Sequence, residues 1–172
     1  MNNIFLPLAA LIVVALLVYV IVNAKKKDNH FDEMQLIKRA KGYKIGYFIL
    51  LIGLTVYAGL SAYSPDLKNR VEPEIAVFII MMISILIFAV YCIFNEAFFS
   101  IGENAKGYSF VCIAMILLNG FGCYSSISEG EFLKDGIISY SGTGNLIVTG
   151  VFAVILVCII VKSIMNKREA EE

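Results

Sequence analysis

The sequence predicts an all-α integral membrane protein: one membrane domain, residues 1–172, built as a bundle of five transmembrane helices. Hydrophobic residues make up 59% of the chain and charged residues 16%, whereas soluble domains carry about 25% charged residues. Uncharged apolar stretches occupy residues 4–22, 45–62, 75–94, 108–124 and 146–161. At 1.5 Å per residue, most of them are long enough to cross a hydrocarbon core about 30 Å thick.

The basic residues lie between these stretches, and their distribution predicts the orientation. Five spans place the first gap, the third gap and the C-terminal tail on one side of the membrane. That side carries Lys25, Lys26, Lys27, Lys38, Arg39, Lys41, Lys44, Lys106, Lys162, Lys167 and Arg168, and the other side carries Lys68, Arg70 and Lys134. Because basic loops stay in the cytoplasm, we expect the N-terminus outside, the C-terminus in the cytoplasm and a plasma-membrane location.

The first and fourth stretches each leave an alternative open. In the first, the basic cluster follows the apolar run, which is typical of a retained anchor, whereas a cleaved signal peptide has its basic residues in front. The fourth has 17 residues and contains Asn119, Gly120 and Gly122. It could be a tilted span, a broken helix or a re-entrant loop, and the charge distribution favours a full crossing.

The cytoplasmic segment 25–44 contains a helix start. Asp32 is a candidate N-cap and Gln35 stands three residues later, which is the spacing of a capping box. We therefore expect one helix that begins near Glu33 and continues into the second span. The candidate binding residues for a cytoplasmic protein partner or anionic lipid are those of this segment together with the acid after the third span: Asp32, Glu33, Gln35, Lys38, Arg39, Lys41, Lys44 and Glu96.

Three glycines, Gly42, Gly46 and Gly53, lie within about 40° of one another on that helix. Small residues let membrane helices approach closely, so these glycines predict helix packing, within the bundle rather than between two copies.

Glu96 is predicted to pair with Lys41 or Lys44 and so to join the second and third spans. The alternative is a proton or cation ligand, because ionisable residues at membrane depth are often functional.

The outer loop, residues 125–145, is the second place where a ligand could bind. The alternative is a tolerated surface connection.

The residues 31–35 and 39–46 resemble the Asp-Glu-x-Gln cytoplasmic motif of small uncharacterised bacterial multi-pass membrane proteins of Gram-positive type. The segment 95–104 is similar to a second cytoplasmic segment of that group, although it has Asn95, Glu96 and Phe98 where the group has Lys, Asp and Tyr. The resemblance implies a bacterial plasma membrane and implies no activity.

Enzyme chemistry is not expected. The chain has one histidine, His30, and no Asp or Glu near the centre of a span, so an intramembrane hydrolase has little to use. The four cysteines lie in apolar spans, form no Cys-x-x-Cys pair and predict packing rather than a metal or redox site. We expect no catalytic, metal or cofactor site and, at zero net charge, no nucleic acid partner.

The expectation is a non-catalytic membrane protein that binds a protein partner or anionic lipid at its cytoplasmic face; the alternative is a membrane subunit of a transport or peptide-resistance system.

Overall fold

The computed structural model describes residues 31–64, 71–101, 105–134, 136–169 and 171. Within these residues the chain forms four long helices and one short antiparallel hairpin. In chain order they are α1 (Glu33–Tyr63), α2 (Pro73–Phe94), α3 (Ala105–Ser128), β1 (Leu133–Lys134), β2 (Ile137–Ile138) and α4 (Tyr140–Glu169).

All four described helices are long and apolar enough to cross a membrane, so the protein is a membrane-embedded helical bundle. With 22 and 24 residues, α2 and α3 are about 33 and 36 Å long. With 31 and 30 residues, α1 and α4 reach about 45 Å and therefore extend beyond a 30 Å core. The apolar stretch 4–22 lies outside the described residues, so the fifth span stays a prediction.

The predicted helix start is confirmed, because α1 begins at Glu33 and runs without interruption through the second apolar stretch. The fourth stretch is also one continuous helix, α3. Its polar Asn119 is satisfied locally, since Nδ2 donates to the carbonyl of Met115 at 2.8 Å. These residues therefore do not form a broken helix.

The connection between α3 and α4 is shorter than the predicted loop 125–145 and contains regular structure. Helix α3 continues to Ser128, the hairpin occupies residues 133–138, and α4 begins at Tyr140. The hairpin is docked on the chain before α2, where Val71 bridges to Ile138 and the carboxylate of Glu72 accepts the N–H of Tyr140 at 2.6 Å. Glu72 thus accepts a hydrogen bond from an N–H that has no acceptor within the first turn of α4.

The core is formed by α2, α3 and α4, and α1 packs on the outside of α2. The buried cluster comprises Met82, Ala89, Ile93, Cys112, Val151, Ile155 and Ile159. In the most apolar part of α1 only 6% of the residues are buried, compared with 28% in α2. Helix α1 is therefore the least covered of the four described helices.

The three predicted packing glycines all face α2. A Cβ at Gly42 would lie 3.0 Å from Sγ of Cys92, one at Gly46 would lie 3.3 Å from the carbonyl oxygen of Ser84, and one at Gly53 would lie 2.5 Å from Cγ2 of Ile80. The close approach at Gly46 lets the buried Ser84 hydroxyl donate to the Gly46 carbonyl at 2.8 Å. The helix contact thus combines tight packing with one interhelical hydrogen bond.

Candidate functional site at the lysine-rich end

The lysine-rich end is the end of the bundle at which α1 begins and α4 finishes. Asp32 is the N-cap of α1, and its backbone N–H donates to Oε1 of Gln35 at 3.3 Å. Gln35 then uses its other amide atom away from its own helix. Nε2 donates to the backbone carbonyls of Glu96 at 2.7 Å and Phe99 at 3.3 Å.

Arg39 lies one turn after Gln35 and binds the same segment. Its Nη1 atom donates to the carbonyls of Ala97 at 3.0 Å and Phe98 at 3.2 Å. The guanidinium also stacks over the ring of Phe31, 4.3 Å from its centroid, which is a favourable cation–π position. Gln35 and Arg39 together therefore hold residues 96–99, which we call the clamped turn, against the start of α1.

The clamped turn begins as the C-terminal cap of α2. Glu96 has a φ of 59°, Glu96 N–H donates to the Ile93 carbonyl, and Ala97 N–H donates to the Cys92 carbonyl at 2.8 Å. These two bonds and the left-handed residue form a Schellman motif, which commonly has glycine at the left-handed position. Ala97 and Cys92 are fully buried and supply the apolar contact that accompanies such a cap.

The side chain of Glu96 pairs with α4, so the predicted pairing with Lys41 or Lys44 is wrong. Its Oε1 atom lies 3.0 Å from Nζ of Lys162. Lys162 follows the buried Ile159 by three residues and so lies on the face of α4 that meets α2. Lys41 and Lys44 are exposed, because they lie off the stripe of α1 that faces α2.

The ion pair lowers the pKa of Glu96. The largest cause is the hydrogen bond and charge of Lys162, and Lys38 and Asn166 act in the same direction. The side chain of Glu96 is 57% exposed and that of Lys162 is 15% exposed. The pair is therefore half in water, and solvent screening limits what it contributes to stability.

The candidate binding residues consequently divide into two groups. Gln35, Arg39 and Glu96 make contacts with parts of the protein distant in the chain. Among the described residues, Asp32 bonds only within its own helix start, and Glu33, Lys41 and Lys44 are exposed, whereas Lys38 is half-buried. The sequence contained a signal for Gln35 and Arg39, since they recur with Gly42 and Gly46 at helical spacing of four, three and four residues and share one face.

Two open cavities flank the end of α4. One, of about 540 Å³, lies beneath the clamped turn and is lined by residues that include Gln35, Glu96, Lys162, Asn166 and Lys167. The other, of about 440 Å³, lies between α3 and α4. Its polar lining comes from Lys106, Ser109, Ser163 and Lys167, and its apolar lining from Ala105, Phe110, Ile113, Ile159, Ile160 and Ile164.

The second cavity, which we call the α3/α4 groove, is amphiphilic along the bundle axis. Lys106 and Ser109 are in the first turns of α3, and Phe110 and Ile113 follow them toward the centre of the span. On the antiparallel α4, Lys167 stands near the helix end and Ile160 lies deeper. The groove is thus cationic at the membrane edge and apolar toward the membrane centre.

Within the described ranges, no three His, Cys, Asp or Glu residues lie together in a group that could hold a metal ion. Cys92, Cys112, Cys123 and Cys158 are free thiols. The arrangement at this end can therefore bind by hydrogen bonds, by positive charge and by apolar contact.

The sequence reasoning missed Ser84, Glu72 and Gly142. A Cβ at Gly142 would lie 2.6 Å from Cα of Phe132 and 2.7 Å from the carbonyl oxygen of Glu131, so the start of α4 touches the backbone before the hairpin. The run of small residues 141–144 was the available signal, and it indicates close approach of two backbones.

Comparison of the chain with protein-family models, with curated proteins and with solved structures gives no match. The resemblance to small bacterial membrane proteins therefore stays a prediction, and the function is inferred from the geometry and charge of the lysine-rich end.

Proposed function

We propose that this protein is a non-catalytic, multi-pass plasma-membrane protein that binds anionic phospholipid headgroups at its lysine-rich end, which faces the cytoplasm. The observation that carries the proposal is the α3/α4 groove. An anionic phospholipid has the same order of chemistry along its length, with phosphate at the membrane edge and acyl chains below it. Basic pockets between transmembrane helices on the cytoplasmic side are typical sites for such headgroups.

The positive charge at this end supports the same ligand. Exposed basic side chains stand on three different helices: Lys41 and Lys44 on α1, Lys106 on α3, and Lys167 and Arg168 on α4. Lysine stems can lie along apolar surface while the ammonium reaches the headgroups. A collar of charge distributed over several helices suits a layer of headgroups better than a single protein epitope.

The orientation in this proposal rests on the distribution of lysine and arginine. Of the nine basic residues in the described part of the chain, eight belong to the end where α1 starts and α4 finishes, and Lys134 belongs to the opposite end. Cytoplasmic loops carry such an excess. A membrane-impermeant thiol reagent tests it on intact cells, using Arg168→Cys and Ser64→Cys in a chain without its native cysteines. We expect labelling at position 64 and protection at position 168; the reverse pattern would place the lysine-rich end outside.

Lipid binding is tested with purified protein in neutral detergent and a fluorescent phosphatidylglycerol, with phosphatidylcholine as the uncharged comparison. We expect phosphatidylglycerol to bind more tightly and to be released by high salt. Because each basic residue near an anionic surface contributes about 1 kcal/mol, the variant Lys106→Gln/Lys167→Gln should raise the Kd by roughly 5- to 30-fold.

Two control variants assign the binding to the groove. Lys41→Gln/Lys44→Gln removes the same number of charges from α1, and Lys134→Gln removes one charge from the opposite end. We expect the α1 variant to have a smaller effect than the groove variant and the Lys134 variant to have none. Equal binding of the two lipids, or a groove variant that binds as the parent does, would contradict the proposal and would favour a cytoplasmic protein as the partner.

A further inference from the structure

The cavity of about 540 Å³ beneath the clamped turn, which we call the clamp cavity, adjoins the α3/α4 groove. The residues that line both are Ala105, at the start of α3, and Ile159, Ser163 and Lys167 of α4. The three α4 residues recur every four positions and so form one stripe on that helix. The two cavities therefore meet along this stripe, and two of the four residues between them, Ala105 and Ser163, have small side chains.

The clamp cavity and the α3/α4 groove lie on opposite sides of this stripe. At about 100° per residue, Lys162 and Asn166 lie on one side of it and Ile160 and Ile164 on the other. The first two line the clamp cavity, and the last two line the groove. Most of the residues that line the clamp cavity have polar side chains. It therefore suits a polar group, whereas the groove offers the apolar surface that an acyl chain needs.

The clamp cavity also differs from the groove in charge. Its described lining includes two lysines, Lys162 and Lys167, and one acid, Glu96. Because Oε1 of Glu96 lies 3.0 Å from Nζ of Lys162, these two charges offset each other. Lys167 also lines the groove, where it and Lys106 are the charged residues of the described lining. A phosphate is therefore favoured in the groove. In the clamp cavity a second phosphate would face the carboxylate, and an ammonium group would face both lysines.

We infer that the clamp cavity holds the uncharged, hydroxyl-bearing headgroup of an anionic phospholipid whose phosphate lies at Lys106 and Lys167 in the α3/α4 groove. The inference rests on the proposed function and adds the chemistry of the headgroup to it. A hydroxyl both donates and accepts hydrogen bonds, so it can donate to the Glu96 carboxylate and accept from the Lys162 ammonium. A carboxylate has about four acceptor sites and an ammonium three donors, so their mutual contact leaves both with further capacity. Hydrogen bonds to charged groups are the stronger ones.

Lipid selectivity of the purified protein in neutral detergent tests the inference. The probes are phosphatidylglycerol, phosphatidylinositol and phosphatidylethanol, which all carry one phosphodiester charge. Only phosphatidylethanol has no hydroxyl on its headgroup. We expect the Kd of a hydroxyl-bearing lipid to be roughly 5- to 10-fold lower than that of phosphatidylethanol, as one additional hydrogen bond provides. Such a preference for either hydroxyl-bearing lipid supports the inference, and the tighter of the two identifies the headgroup.

A variant of Glu96 connects this preference with the clamp cavity. Glu96→Gln should reduce the preference to about 2-fold or less, because the charged acceptor is the stronger one. It should leave the binding of phosphatidylethanol at least as tight, because Lys162 loses its partner. The matched control is Glu169→Gln, which removes the same charge from an exposed position of α4 outside the described lining of both cavities and should keep the preference. Should Glu96→Gln fail to fold, the comparison of lipids on the parent chain decides the inference.

The outcomes separate this inference from the proposed function. If all three anionic lipids bind equally, and more tightly than phosphatidylcholine, the proposed function stands and the headgroup inference is overturned. An unchanged preference in Glu96→Gln would overturn it as well, because the hydroxyl would then bind elsewhere. If no anionic lipid binds more tightly than phosphatidylcholine, the proposed function fails and the headgroup inference fails with it.

Discussion

Gln35 at the start of α1 and Glu96 at the end of α2 are joined by a hydrogen bond of 2.7 Å, from the side-chain amide of the first to the backbone carbonyl of the second. The carboxylate of Glu96 in turn binds Lys162 of α4 at 3.0 Å. Glu96, at the end of α2, therefore connects three helices. Its backbone carbonyl binds α1 and its side chain binds α4. The lysine-rich end is held together by these two contacts and by Arg39.

The bond between Gln35 and Glu96 can be removed with the helix cap left in place. Gln35→Glu keeps an oxygen for the N–H of Asp32 and loses the donor to the clamped turn. We expect the free energy of unfolding to fall by about 1 kcal/mol, the usual net value of such a hydrogen bond, and amide exchange in residues 96–99 to become faster. Glu33→Gln, at an exposed position of the first turn, is the control and should change stability by less than about 0.5 kcal/mol. Unchanged exchange in the clamped turn would contradict the role of Gln35.

The ion pair between Glu96 and Lys162 predicts that the stability of the protein depends on pH. Because the folded-state pKa of Glu96 is lowered by Lys162, ionised Glu96 contributes stability at neutral pH, and this contribution is lost as the pH falls through the folded pKa. The pair is half exposed, so we expect less than about 1 kcal/mol. Melting temperatures of the parent and Glu96→Gln should differ at neutral pH and converge in acid. A constant difference across the pH range would mean that the charge of Glu96 contributes nothing.

Gly46 should not tolerate a large side chain. A Cβ there would lie 3.3 Å from a backbone oxygen of α2, so Gly46→Leu must move the helix and should cost about 1–3 kcal/mol, as overpacking does. The variant should also lose the hydrogen bond from Ser84, so that Ser84→Ala costs less in the Gly46→Leu background than in the parent. Gly59→Leu is the matched control, because it lies on the same helix with nothing within 4 Å of its Cβ position. Equal melting temperatures for the two leucine variants would remove the packing role.

Gly142 should be more sensitive than Gly144, two residues away on the same helix. An alanine Cβ at position 142 would meet the backbone at 2.6 Å, whereas at position 144 the nearest atoms are in the ring of Tyr140 at 3.6 Å, an ordinary contact. We expect Gly142→Ala to cost about 1–3 kcal/mol and Gly144→Ala to be neutral or stabilising, since alanine favours a helix by up to about 1 kcal/mol. Thermal unfolding in detergent measures both. The opposite order would show that the turn before β1 does not pack on α4.

The sequence by itself determined the features that are encoded within one helix. Long uncharged stretches identified the membrane-spanning helices among the described residues, and the spacing of Asp32 and Gln35 located the start of α1 at Glu33. The period of 3.6 residues placed Gly42, Gly46 and Gly53 on one face. Solvent preference, capping and periodicity depend on residue types at short separations, and for that reason they can be read from the chain.

Only the tertiary structure decided which groups those residues meet. Gln35 and Arg39 bind backbone carbonyls, and Gly142 touches backbone atoms. Every residue has a backbone, so no residue type marks such a partner in the sequence. From the sequence, several lysines were possible partners for Glu96. The packing of α4 on α2 places Lys162 next to it. Contacts of this kind depend on the three-dimensional arrangement of helices that are distant in the chain, and that arrangement follows from how their surfaces fit together.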